Sequence, residues 1–276
     1  MPLGSAACPQ RPDILRQISQ PKGLEEALDD LLRKVTQTIC PQARFVRSPG
    51  SIPISLVSMR RARRLSPTQE RVIELEEIDV RENFPQWTRH FPPGSLRGIY
   101  VYPPVGKIFL IKNCWCLETM IHEMLHSTSV FVERPDLRGR CDDLMNGLTE
   151  FYAGYLMYNY WRECYEAWRN DMYDVCFITY APFVKLWGAM CHFICVKELA
   201  NIYFWLGHSD WERSFQGFVD RIHHLGYPHF RNVLEIRKRI ALRVYLEQEC
   251  RKHFGRQFER ILGSWDECLD FSSMAS

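Results

Sequence analysis

Two histidines one helical turn apart, His122 and His126, constrain this chain more than any other feature of its 276 residues. At ~3.6 residues per turn, positions four apart project from the same helix face. Two neutral imidazoles so placed can grip one metal ion, and Glu123 stands close enough to take the proton of a metal-activated water. The surrounding stretch reads as a helix that must be buried. Neither Pro nor Gly interrupts residues 114–131, and Leu117, Met120, Ile121, Met124 and Leu125 recur at three- and four-residue spacing. Between the histidines, Met124 and Leu125 are uncharged, as a dry metal site requires.

A catalytic zinc site takes three protein ligands and leaves one position for water. A metzincin continuation would need Gly at 129 and His or Asp at 132, and Ser129 with Val132 exclude it. A distant histidine, His192, is one candidate for the third ligand. Glu150, in the run Asn146-Gly147-Leu148-Thr149-Glu150-Phe151, is the better one. It falls on a second helical segment, after a charged loop-like run at 133–140 long enough to reverse the chain.

This pattern, His-Glu-x-x-His and then Asn-Gly-Leu-Thr-Glu-Phe, resembles the gluzincin clan of zinc peptidases, the thermolysin-like group. The resemblance spans residues 115–155. It implies Zn2+ held by His122, His126 and Glu150, with Glu123 as general base. It also implies an α+β, zincin-like fold: a small mixed sheet with an edge hairpin, the active-site helix, then a largely helical C-terminal lobe. One position departs from the clan. Its members often carry an Asp four residues beyond the ligand glutamate, hydrogen-bonded to a zinc histidine; here that position is Gly154. An acceptor must then come from elsewhere, and Asn146, Asp142 and Asp143 are all candidates. Clan members also stabilise the oxyanion with a His and a Tyr from the later lobe, a role for which this chain offers His224, Tyr227 and His229. Solvated helix-end histidines favoured by the macrodipole are the competing account of that cluster.

Upstream of the motif, Arg97–Tyr102 and Lys107–Ile111 read as two β-branched and aromatic strands around a turn. In zincins an edge strand lies beside the active-site helix, where it can pair with an extended substrate backbone. An ordinary core hairpin is the simpler account, and the two are compatible.

Organisation follows from the patterning. Residues 1–22 are expected to be a flexible leader, 23–132 an N-terminal α+β lobe ending in the His122 helix, and 133–276 a helical lobe carrying Glu150. Together they form one catalytic domain. Leu24, Ala27, Leu28, Leu31, Leu32, Val35 and Ile39 mark an amphipathic helix. Ile52–Met59 and Val72–Ile78 look strand-like. Ser209-x-x-Glu212 is a capping box for a helix ending at Gly226, and a further helix is expected over 231–252. Val175–Val196 is the most apolar stretch, but Pro182, Lys185 and His192 make it a buried helix rather than a membrane span.

With 46% hydrophobic residues the chain can bury a substantial core, and a net charge of +2 gives no reason to expect a polyanionic partner. Eleven cysteines, an odd and unpaired set, fit free thiols in a reducing cytoplasm better than a disulfide framework. Neither Cys114 with Cys116 nor Cys191 with Cys195 has a second pair to close a tetrahedral site. The N-terminus lacks the basic start and apolar core of a secretory signal. The basic run Arg60–Arg64 and the patch Arg237-Lys238-Arg239 are read as solvated faces, with no nucleic-acid motif beside them.

The leading expectation is a zinc endopeptidase acting on a protein or peptide substrate. The alternative is a non-catalytic zincin-like protein whose metal is structural and whose surface binds a partner; Glu123 argues against it, since a structural zinc needs no adjacent base. A third possibility is a protease masked by its leader, with Cys8 over the metal. Oligomeric state is open.

Overall fold

The computed structural model describes residues 23–40, 70–89, 91–102, 105–129, 132, 142–173, 181–204 and 239–274. Its architecture is mixed α+β, mostly helical with one three-stranded sheet. Chain contacts divide it into two units, one from Met1–Val35 and Arg44–Thr128, the other from Thr36–Ala43 and Ser129–Ser276.

In the first unit, helix α1 (Leu24–Thr38) buries Ala27, Leu28, Leu31 and Val35, the face its spacing predicts. Its Glu25 accepts backbone N–H bonds from Arg71 and from Val72 (2.9 Å), and pairs with the Arg71 guanidinium at 2.7 Å. That contact anchors the start of strand β1 (Val72–Leu75). The strand ends sooner than the sequence suggests. Helix α2 (Glu77–Asn83) begins within the stretch expected to be extended, with Glu77 and Asp79 favouring its N-terminal turn. A short α3 (Pro85–Thr88) follows.

The expected hairpin forms as β2 (Gly98–Val101) and β3 (Lys107–Ile111). The strands order β1-β3-β2, with β1 parallel and β2 antiparallel to β3, so among the described residues β2 is an edge. One sheet face packs Phe109, Ile111 and Val101 against Val80, Phe84 and Leu96. Helix α4 (Leu117–Thr128) lies on β2 and β3 and buries Leu117, Met120, Ile121, Met124 and Leu125. Gly98 makes this approach possible: a Cβ there would stand 2.7 Å from Thr119 Cγ2 and 3.3 Å from Glu123 Cγ. Strand and motif helix are therefore in direct contact at Glu123.

The second unit is helical. Its centre is α5 (Asp142–Tyr160), apolar around much of its circumference, as befits a buried helix. It packs against α6 (Arg162–Tyr173) and α7 (Ala181–Cys191). Next come α8 (Val196–Tyr203), α9 (Arg239–Gly263) and α10 (Trp265–Cys268). Phe271 collects Phe151, Tyr155, Tyr158, Tyr165 and Trp168 within 6.5 Å between ring centroids. The apolar run 175–196 is not one helix in its described part. The α7 helix ends at Cys191, where Phe193 and Ile194 both donate to the Met190 carbonyl in a turn. The last long helix runs past 252 to Gly263, kinking at Gly255 (φ 65°, ψ −150°), a conformation open to glycine.

No helix among the described residues is long and apolar enough to cross a membrane. No disulfide joins two cysteines among the described residues, and burial pushes the Cys250 and Cys268 thiols up to about 12. The leader 1–22, the strand-like run Ile52–Met59, the basic run Arg60–Arg64, Arg237 with Lys238, and the capped helix at 209–226 lie outside the described residues.

Candidate metal centre

Helix α4 places His122 and His126 one turn apart, and their rings converge. The two Nε2 atoms are 3.0 Å apart, with ring centroids at 4.7 Å. A tetrahedral zinc with Zn–N of about 2.0–2.1 Å spaces two nitrogens about 3.3 Å apart, so the pair needs only a few tenths of an ångström to accept one. The same separation suits an N–H···N hydrogen bond when one ring carries its proton on Nε2. Two imidazole nitrogens at this spacing are donors of the kind that zinc and other divalent transition metals accept.

The other nitrogen of His126 has a partner that the sequence did not identify. Tyr102 Oη lies 3.4 Å from His126 Nδ1. With Nε2 turned to a metal, Nδ1–H donates to this phenolic oxygen, the arrangement that fixes a ligand histidine's tautomer and ring plane. Of the acceptors expected for such a role, Asn146 is half-buried on α5 one turn before Glu150, and Asp142 and Asp143 open that helix.

Glu123 is buried, and its Oε2 accepts the Tyr100 backbone N–H at 2.6 Å. Strand register explains the donor. Arg97 O accepts from Ile111 N, so Arg97, Ile99 and Val101 face β3, while Gly98 and Tyr100 turn their backbone groups to the outer edge. The outer edge of β2 thus meets the Glu123 carboxylate through the Tyr100 N–H. One turn earlier on α4, Glu118 brings a carboxylate oxygen within 4.8 Å of a His122 ring nitrogen. Its position four residues before His122 was legible, though the expected ligand set passed over it.

In the second unit Glu150 is 1% exposed on α5, too buried to be an ordinary surface glutamate. A carboxylate this deep is tolerated when hydrogen-bonded, paired or metal-bound. Trp168 Nε1 donates to its Oε1. The neighbouring Thr149 hydroxyl bonds Tyr203 Oη at 2.6 Å and the Met145 carbonyl at 2.8 Å, fixing this turn of α5. His192, the distant alternative ligand, is engaged elsewhere: its Nε2 meets the Glu267 carbonyl at 2.8 Å and its Nδ1 the Ser273 hydroxyl at 3.4 Å. His224, Tyr227 and His229 lie outside the described residues.

Electrostatics favour neutral imidazole at His126. Desolvation lowers the His126 pKa well below the ordinary 6.5, and the neighbouring His122 lowers it further. A depressed histidine pKa means that the unfolded chain binds more protons than the folded one between the two values. Stability of the metal-free protein therefore falls as pH drops below about 6.5, by at most ~1.4 kcal/mol per pH unit for this group. Urea midpoints at pH 7.5 and 5.5 should show a larger acid loss for the metal-free wild type than for His126→Gln. Equal losses would contradict the assignment.

Compared with protein families, curated proteins and solved structures, the chain matches none of them.

Proposed function

We propose that this chain is a zinc-dependent metallopeptidase of gluzincin type with a zincin-like arrangement of its α+β fold. In this reading His122, His126 and Glu150 hold Zn2+, Glu123 is the general base, and the substrate is a protein or peptide. The observation that carries it is the convergence of the two Nε2 atoms, 3.0 Å apart, beside a buried glutamate aligned by an edge strand. A structural metal would account for the histidines but not for a carboxylate set between them and held in place.

When bound, zinc polarises the scissile carbonyl and lowers the pKa of its water toward ~7. Glu123 takes the proton of the attacking water and returns it to the leaving amine, a role worth about 10²–10⁴ in rate. The Tyr100 N–H limits the directions that carboxylate can take, so the base is set before substrate arrives. The outer edge of β2 offers main-chain groups for an extended peptide, giving affinity with little demand on sequence. His224, Tyr227 and His229 are proposed donors to the oxyanion. The free thiols fit a reducing compartment such as the cytoplasm.

Cleavage of a quenched-fluorescence peptide library should disappear when zinc is removed by a chelator and return with one equivalent of zinc per chain. Cleavage that survives chelation, or no cleavage in the zinc-loaded chain, would overturn this function.

A further inference from the structure

We infer that Trp168 is a positioning residue for the third ligand, acting through Glu150 from the space that Gly154 leaves open. The inference rests on the zinc site proposed above. Three residues of the second unit carry it. Glu150 and Gly154 sit four apart on α5 and so share a face. The Trp168 indole, from α6, covers that face. A Cβ on Gly154 would fall 2.6 Å from Trp168 Cζ3 and nearer still to Cη2, so no side chain at 154 can coexist with the ring where it lies. From the same position the indole N–H donates to Glu150 Oε1.

The arrangement holds the Glu150 carboxylate in one direction. A glutamate has three side-chain torsions, and a metal pays the entropy of ordering them unless the protein has already done so. The indole is well suited to do so. It is a donor only, so it cannot compete for the metal. It is also rigid: Trp168 is buried, with the Tyr165 ring at 5.9 Å and the Phe271 ring at 6.5 Å. Gly154 and Trp168 are in this sense one choice, a side chain at 154 exchanged for a ring from the next helix.

The test is a zinc-affinity cycle on the full chain, read by competition with a chromophoric chelator. The four proteins are wild type, Trp168→Phe, Glu150→Gln and the double variant. Trp168→Phe keeps an aromatic ring and removes the N–H, and it should weaken zinc binding about 10–100-fold. In the Glu150→Gln background the same substitution should change affinity by less than about twofold, because the residue it acts through no longer binds metal. Unchanged affinity in Trp168→Phe, or an equal loss in both backgrounds, overturns the positioning role; the second result would assign Trp168 to packing alone. A readout independent of that variant's folding uses the wild type labelled with ¹⁵N-indole. One indole N–H resonance should shift with the first equivalent of zinc and stay unmoved in Glu150→Gln at saturating zinc. No zinc-responsive indole in the wild type also overturns it. If the wild type takes up no zinc, or His122→Ala keeps full affinity, the zinc site itself fails and this inference falls with it.

Discussion

Glu123→Gln should abolish peptide hydrolysis while leaving zinc content at the wild-type level. The amide cannot accept the proton of the attacking water, so kcat should fall on the order of 10²–10⁴-fold. The substitution is a clean one for a structural reason. A glutamine oxygen can still accept the Tyr100 N–H that now meets Oε2 at 2.6 Å, and the strand keeps its contact with α4. Thermal stability should therefore move little. Glu123→Ala is the poorer experiment, because it strands that N–H at a cost of about 1–3 kcal/mol. Assay of kcat beside metal analysis separates the two effects. A Glu123→Gln protein that cleaves at the wild-type rate would remove Glu123 from the chemistry. An inactive variant that holds substrate also becomes a trap for the natural target in cells.

The ligand substitutions should have the other large effect. A structural four-ligand zinc site is worth about 10–16 kcal/mol, so one protein ligand carries on the order of 3 kcal/mol, more than ~100-fold in Kd. His122→Ala should show at least this loss, since one imidazole remains and the chelate geometry is gone. Glu150→Gln should lose similarly while keeping an oxygen for the Trp168 N–H, so the second unit stays folded. Glu150→Gln with undiminished zinc affinity would mean that the third ligand lies elsewhere, with Glu118 the nearest replacement on the motif helix.

What was legible in the sequence is what periodicity encodes. The buried face of α4 follows from the spacing of five apolar residues, and α1 and the β2–β3 hairpin fall close to their expected ranges. Local pattern failed where chain direction changes for tertiary reasons. Val72–Ile78 is β-branched and reads as one strand, yet the acidic start of α2 turns it helical after Leu75. The apolar run after 175 carries no Gly or Pro over 189–196, and its helix ends at Cys191 all the same. The helix expected to end at 252 runs on to Gly263, with a kink at Gly255.

Of the proposed site, His122, Glu123, His126 and Glu150 can be picked out from the sequence by their spacing. Tyr102, Trp168 and the Tyr100 N–H cannot. Each reaches its partner from another element, over 18 to 24 residues of chain, and no local pattern carries such a contact.

The most direct test of the zinc site is X-ray absorption at the metal edge of the zinc-loaded wild type. Two imidazoles are expected, with only oxygen in the remaining positions, all near ~2.0–2.1 Å. In Glu150→Gln the protein carboxylate contribution should disappear while both imidazoles remain. Sulfur scattering near ~2.3 Å would place a cysteine on the metal, and an ion with one histidine or none would displace the His122–His126 pair. Either result would contradict a gluzincin-type centre in this chain.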